Sequence, residues 1–328
     1  MTAGRAPLAK LPAAARRRPL PCAPVPPRAV DAAPRARPIL ILGIERSGTS
    51  LLSEIVWRWG AYGGEAELLE AADRWNPRGY WQFRPMANFL VELTQSADVA
   101  VWEPSFKQRV RQLARQPAHR EKAQALVAGM ESSGAPWFWK EPIFAHSLPF
   151  WQEVLDQPIC LVTLRNPLDA AMSFEQVVLP APLQGRIRLV AYFLLRWQYV
   201  MLSLLGDLAG WRHKLVVSYE ALVTSPRDEC ARIRRFLDVA AAAGGPESAE
   251  KVERMAQAVE PSLWRQVSEI PLAQCADASP EQRDLFSYLS SRLDGDFGDF
   301  DPARYPLPPC WREYLENFDV CQRLFGSL

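Results

Sequence analysis

Hydrophobic residues along this chain follow two alternating patterns. Some form short, nearly continuous apolar runs, which are typical of strands buried on both faces of a parallel sheet. In longer segments the apolar residues recur every three or four positions, which is typical of helices. The continuous runs predict strands at 38–42, 137–139, 159–164 and 215–219. The periodic segments predict helices at 49–59, 84–93, 107–130, 147–155, 167–177 and 185–206.

The order of these elements predicts the fold class. Strands that alternate with helices favour an α/β fold, a three-layer sandwich with a central parallel sheet and helices on both faces. After the fourth strand, Ser225 precedes Pro226 and stands three residues before Asp228, which predicts a capping box at a helix start. From about Ala240 the pattern predicts helical segments and loops without a strand.

Composition favours one large domain with a basic tail. The chain has 328 residues, of which 48% are hydrophobic, so residues 38–328 can bury one sizeable core. Residues 1–37 are rich in Pro, Ala and Arg and carry a net charge of +7, against −6 for the rest of the chain, so they predict a disordered tail or, alternatively, a docking or address arm. The overall net charge of +1 gives no argument for nucleic-acid binding. The sequence leaves the oligomeric state open.

One later apolar stretch, 189–205, raises the question of a membrane span. It contains Arg196 and Gln198 and is shorter than the roughly 20 apolar residues that a span needs. We therefore predict a core helix with a paired or snorkelling arginine. The six cysteines show no metal-ligand spacing, which indicates reduced thiols and a cytoplasmic location, although Cys310 and Cys321 could pair in an oxidising compartment.

The loop after the first strand has the spacing of a phosphate-binding P-loop. Gly43 and Gly48 bracket four residues, and a helix begins at Thr49. Such a loop points backbone N–H groups at an anion, and the helix N-terminus adds a partial positive charge. A nucleotide triphosphatase would have Lys after the second glycine. Here the residue is Thr49 and the positive charge lies at Arg46, so the loop predicts phosphate binding without the usual ATP–magnesium chemistry.

Three further motifs lie at the ends of the other predicted strands. Lys140 and Glu141 end the second strand, Arg165 ends the third with Ser173 eight positions later, and Tyr219 ends the fourth. Ligands of parallel α/β sheets bind at the carboxyl ends of the strands, so these residues are expected to meet the glycine loop. The guanidinium group of Arg165 suits bidentate phosphate binding.

This ordered set of motifs resembles the sulfotransferases that use phosphoadenosine phosphosulfate (PAPS), in particular their soluble bacterial branch, over residues 38–238. The resemblance implies transfer of a sulfuryl group from PAPS, as co-substrate, to a hydroxyl or amine of a glycan, lipid or small molecule, without a metal. It places Lys140 near the sulfuryl group, Tyr219 beside the adenine, and Arg165 and Ser173 at the 3′-phosphate. The residues matching those around the leaving 5′-phosphate are Arg46, Ser47, Gly48, Thr49 and Ser50.

The catalytic base is the least determined part of the predicted site. Cytosolic members have a histidine shortly after the lysine, where this chain has Glu141, with His146 the nearest histidine. Branches that act on glycans or protein tyrosines use a glutamate after the first helix, where Glu65 and Glu67 lie. We predict Glu65 as the base, ahead of Glu67, with His146 and Glu141 as further alternatives. Gln82 stands where bacterial relatives tend to carry glutamate, and an amide cannot accept the proton.

Two other functions remain open from the sequence. A non-catalytic module that binds PAPS or another nucleotide would explain Gln82 and the missing histidine. A P-loop kinase for a small molecule would need Lys at position 49 and an aspartate for magnesium at a strand end, and the sequence supplies neither there.

Overall fold

The computed structural model describes residues 37–179, 183–184, 188–241 and 249–317, so the predicted tail lies outside the described residues except for Arg37. The strands are β1 (Ile39–Leu42), β2 (Phe138–Lys140), β3 (Ile159–Leu164) and β4 (Lys214–Ser218). The helices are α1 (Thr49–Trp59), α2 (Arg84–Ala97), α3 (Phe106–Leu113), α4 (Pro117–Glu131), α5 (Phe144–Trp151), α6 (Pro167–Val178), α7 (Val190–Leu208), α8 (Tyr219–Thr224), α9 (Pro226–Ala240), α10 (Ala249–Ala256) and α11 (Pro280–Ser290).

The described strands form one parallel sheet in the order β2-β1-β3-β4. Side chains of β1 alternate between two cores: Ile39 and Ile41 pack with α1, α9 and α10, whereas Leu40 and Leu42 pack with the layer that contains α2 to α7. Both faces of the sheet are therefore covered, which explains why β1 and β3 are apolar at almost every position. The predicted three-layer α/β sandwich is confirmed.

The observed helices differ from the predicted ones in some of their ends and caps. The single helix predicted over 107–130 is two helices, because Pro117 begins α4 after a break from α3. The helix predicted over 147–155 begins at Phe144 and ends at Trp151. Ser225 makes no side-chain cap at the start of α9, because it also ends α8, where its N–H donates to Ala221 O. A capping box forms instead between Ser279 and Gln282 at the start of α11.

Helix α7 is the apolar stretch that raised the membrane question. It lies in the core with most of its side chains buried, and its Arg196 pairs with Glu45 of the glycine loop. The prediction of a core helix with a paired arginine is confirmed. Of the helices in the described residues, none combines the length and the hydrophobicity that crossing a bilayer demands.

Candidate active site

A cavity of about 450 Å³ opens at the carboxyl edge of the sheet. The loop between β1 and α1 forms its floor, and the ends of β2 and β3 and one face of α6 form its walls. Residues 258–266, which follow α10, border the opposite side. The cavity thus lies where the parallel topology predicts a ligand.

The glycine loop is held in a conformation that only glycine adopts easily at its last position. Gly48 has φ +97°, and a Cβ there would lie 2.4 Å from Cδ2 of Tyr219. Ser47 Oγ lies 2.6 Å from Thr163 Oγ1, a hydrogen bond that ties the loop to β3. Helix α1 begins at Thr49 without a side-chain cap, so its first N–H groups are open to an anion.

Arg46 and Arg165 connect the loop to the third strand. Arg46 Nε donates to Ser173 Oγ at 3.0 Å. Arg165 donates from Nη1 to Arg46 O and from Nη2 to Gln266 O, each at 2.9 Å, and its guanidinium lies 4.6 Å from the ring centroid of Tyr219. The structure therefore brings together the residues that were predicted for the two phosphates and the adenine. Arg165 Nε is buried without a hydrogen-bond partner.

Burial sets the electrostatics of these two arginines. Desolvation lowers the pKa of Arg46, and the charge of Arg165 lowers it further. Desolvation also lowers the pKa of Arg165, although the neighbouring Asp169 partly opposes this. Two positive charges in a partly desolvated cavity favour a bound anion, because the anion offsets both their desolvation and their mutual repulsion.

Lys140 reaches the cavity from the end of β2. Its side chain is buried, with Nζ 5.9 Å from the ring centroid of Tyr80. Burial lowers the pKa of Lys140 to about 8, and the charge of Glu141 opposes the shift. Glu141 itself lies outside the cavity lining, where its Oε2 accepts a hydrogen bond of 2.7 Å from Gln82 Nε2. Burial raises the pKa of Glu141 to about 7.

The residues predicted as the base do not line the cavity. Glu65 and Glu67 are exposed around a short 3₁₀ turn after α1. His146 is buried in α5 between the rings of Trp102 and Tyr199, and this burial lowers its pKa to about 4. The assignment of Glu65 as the base therefore stays a prediction, without support from the arrangement of the cavity.

The cavity includes charged residues that the sequence reasoning missed. Glu45, one residue before Arg46, forms an ion pair with Arg196 of α7. Glu54 of α1 pairs with Arg78, which in turn lies 3.6 Å from Glu260. A lone arginine within the apolar pattern of α7 was a signal for the first pair, since a buried charge needs a partner. No spacing in the sequence predicted the pair of Glu54 with Arg78.

A family model described as the sulfotransferase family matches residues 38–243. The chain belongs to the sulfotransferase family. No curated protein matches this sulfotransferase. Among solved structures it is similar to sulfotransferase STF9 of Mycobacterium avium, with 19% identity over 88% of this chain and 78% of that one and a TM-score of 0.44.

Two more solved structures are similar to this sulfotransferase. One is the sulfotransferase domain of the Synechococcus PCC 7002 olefin synthase, with 19% identity over 78% of this chain and 95% of that one and a TM-score of 0.43. The other is a retinol dehydratase in complex with retinol and PAP, with 15% identity over 81% and 83% of the two chains and a TM-score of 0.33.

Proposed function

We propose that this sulfotransferase moves a sulfuryl group from PAPS to a hydroxyl or amine of a small-molecule, lipid or glycan acceptor. The observation that carries the proposal is the meeting of Arg46, Arg165, Ser173 and Tyr219 around one cavity, beside a glycine loop and a helix N-terminus. Arg46, Arg165 and Tyr219 follow three strand ends, Ser173 lies on α6, and together they suit a nucleotide with phosphates at two separate positions.

The cavity fits such a donor chemically. Among the described residues neither Arg46 nor Arg165 has a carboxylate within ion-pair distance, and Arg165 Nε has no hydrogen-bond partner. Buried donors of this kind are costly unless an acceptor arrives. In this proposal the backbone N–H groups of the loop and Arg46 hold the 5′-phosphate, and Arg165 with Ser173 holds the 3′-phosphate.

The roles of the charged residues follow from the chemistry of transfer. Sulfuryl transfer, like phosphoryl transfer, is accelerated mainly by positioning and by neutralising charge on the leaving oxygen. Arg46 is assigned to the leaving oxygen and Lys140 to the sulfuryl group. With a pKa of about 8, Lys140 is still mostly an ammonium group at pH 7 and can supply that charge.

Binding of the product nucleotide PAP (phosphoadenosine phosphate) tests the donor site. We expect Arg165→Ala to weaken PAP binding by about 10- to 100-fold in calorimetry, since a hydrogen bond to a charged group contributes about 1.5–3 kcal/mol. Lys140→Ala is expected to leave PAP affinity within about threefold while slowing transfer. Equal PAP affinity of the two variants would overturn this division of roles.

The matched control is adenosine 5′-monophosphate, which lacks the 3′-phosphate. We expect the wild-type protein to prefer PAP, and Arg165→Ala to lose most of that preference. Incubation of labelled PAPS with a fractionated host extract then asks which fraction accepts the label.

A non-catalytic nucleotide-binding module is the second candidate. It is favoured by the exposed positions of Glu65 and Glu67 outside the cavity and by the amide at Gln82. Tight PAP binding, with neither label transfer nor sulfate release from PAPS, would support this module over the enzyme.

A further inference from the structure

A carboxylate of the glycine loop itself is fixed in the cavity wall. Glu45 Oε1 pairs with Nη1 of Arg196, and the two side chains are only 22% and 20% exposed. The Arg196 guanidinium lies 5.9 Å from the ring centroids of both Trp102 and Phe174. An arginine held between two aromatic rings gives its carboxylate partner a defined position.

The cavity lining near this pair is largely apolar. The last two turns of α6 contribute Phe174, Val177 and Val178 together with the polar Ser173 and Gln176, and Pro142 follows Lys140 on the lining. A bisphosphorylated nucleotide gains little from such side chains, and its predicted contacts lie on the loop, on Arg165 and on Ser173. This part of the cavity therefore suits the acceptor. Glu45 lines the same cavity, immediately precedes Arg46 in the chain, and is connected to Phe174 through Arg196.

The other carboxylates that line the cavity in the described residues are Glu54 and Glu260, and their contacts are different. Both oxygens of Glu54 accept hydrogen bonds from Arg78, and Oε1 also accepts one from Arg58 at 2.9 Å. Glu260 belongs to the segment after α10 and is about half exposed. Glu45, by contrast, pairs with Arg196 of α7, whose guanidinium lies near Phe174 of α6.

We propose that Glu45 is the general base for transfer, an inference that rests on the proposed function. As the acceptor oxygen forms its bond to sulfur, its proton passes to the Glu45 carboxylate. The bond between sulfur and the bridging oxygen breaks, and its electron pair stays on the 5′-phosphate, next to Arg46. The proton on Glu45 then leaves to solvent. Arg196 holds the carboxylate in place throughout.

Water as the acceptor allows a test before the natural acceptor is identified. Sulfate release from labelled PAPS is measured for the wild type, Glu45→Gln, Glu45→Asp and Glu65→Gln. Because general bases contribute about 10²- to 10⁴-fold, Glu45→Gln is expected to slow release at least about 100-fold, and Glu45→Asp less. Glu92→Gln, which removes the carboxylate of the surface Glu92–Lys122 pair, is the matched control and should match the wild type.

PAP affinity, measured by calorimetry on the same proteins, is the second readout. Glu45→Gln should bind PAP within about threefold of the wild type, because a base acts on the acceptor and not on the nucleotide. If PAP affinity fell by the same factor as sulfate release, Glu45 would be holding the loop, and the inference would be overturned.

The remaining outcomes separate the two proposals. Unchanged release in Glu45→Gln, especially with slow release in Glu65→Gln, would overturn the role of Glu45 and leave the proposed function intact. A wild-type protein that does not bind PAP would overturn the proposed function itself. A wild-type protein that binds PAP but neither releases sulfate nor transfers label to any fraction of the extract would overturn the inference and favour the non-catalytic module.

Discussion

At the scale of single residues, the glycine loop depends on the absence of a side chain at Gly48. The backbone there has φ +97°, and the Tyr219 ring occupies the volume that a side chain would need. Gly60, at the end of α1, offers a comparison, because it has φ +124° and a Cβ at that position would meet nothing within 4 Å. Both glycines have a positive φ, but only Gly48 is packed against another side chain.

We expect Gly48→Ala to weaken PAP binding at least about tenfold, because the new methyl group displaces Tyr219 or the loop. Gly60→Ala should leave PAP affinity unchanged. Both substitutions should lower the free energy of unfolding by at least about 1–2 kcal/mol, since both place alanine at a positive φ, and Gly48→Ala should lose more because its methyl group also meets the Tyr219 ring. Calorimetry and urea titration measure the two effects. Equal loss of PAP affinity in both variants would contradict the role given to the ring.

The transfer rate is expected to depend on pH through Lys140. Burial lowers its pKa to about 8, so raising the pH through that value removes the charge assigned to the sulfuryl group. The transfer rate should therefore fall above pH 8. In Lys140→Arg the guanidinium stays charged, and this fall should disappear even if the rate itself is lower. Rates of sulfate release between pH 6 and 10 provide the measurement, and superimposable profiles would refute the assignment.

At the scale of elements, the cavity is closed on one side by the 258–268 segment. Arg165 donates to Gln266 O, and Ser268 N donates to Asp169 Oδ1 at 2.8 Å. Trp264 lies edge-on to Tyr219, with ring centroids 6.4 Å apart. The segment is therefore attached to α6 and to the end of β3 by polar contacts beside Arg165.

Asp169→Ala leaves the Ser268 N–H without its acceptor, whereas Asp169→Asn keeps an oxygen at that position. We expect faster amide exchange across 262–268 in Asp169→Ala and PAP binding weakened by about 3- to 10-fold, in line with the loss of one hydrogen bond of about 1 kcal/mol. Asp169→Asn should stay close to the wild type. Hydrogen-exchange mass spectrometry resolves the segment, and identical exchange in the two variants would show that this bond does not hold it.

The elements also show which parts of the structure could be predicted from the sequence and which could not. The strands and the glycine loop were predictable, because continuous apolar runs and glycine spacing are local signals. The meeting of Arg46 with Arg165 and Ser173 followed from parallel topology. The pair Glu45–Arg196 and the contacts of the 258–268 segment join residues far apart in the chain, and only tertiary packing brings them together.

At the scale of the whole molecule, the aromatic core around α5 carries a buried histidine. His146 packs against Trp102 and Tyr199, and its Nδ1 has no hydrogen-bond partner. Burial lowers its pKa from an ordinary 6.5 to about 4. In the unfolded chain the ring takes up a proton below pH 6.5, so unfolding becomes easier as the pH falls from 6.5 to 4.

We predict that His146→Phe removes the part of the pH dependence that His146 contributes. Between pH 7 and pH 4, the free energy of unfolding of the wild type should fall relative to that of the variant by about 3 kcal/mol, following 1.36 kcal/mol for each pKa unit. Urea titrations at pH 7, 5.5 and 4 measure the difference, with pH 7 as the reference. Glu141 has the opposite effect over part of this range, but it is common to both proteins and cancels. Parallel curves would show that His146 does not titrate as described.

The bond from Arg165 to Arg46 O and the bond from Arg46 Nε to Ser173 Oγ hold both guanidinium groups in place before any nucleotide arrives. Such a preformed site is expected to bind the product PAP about as tightly as the donor PAPS, because both phosphates remain after the sulfuryl group has left. On the proposed function, release of PAP would then limit turnover, and PAP added to the reaction would inhibit it in competition with PAPS.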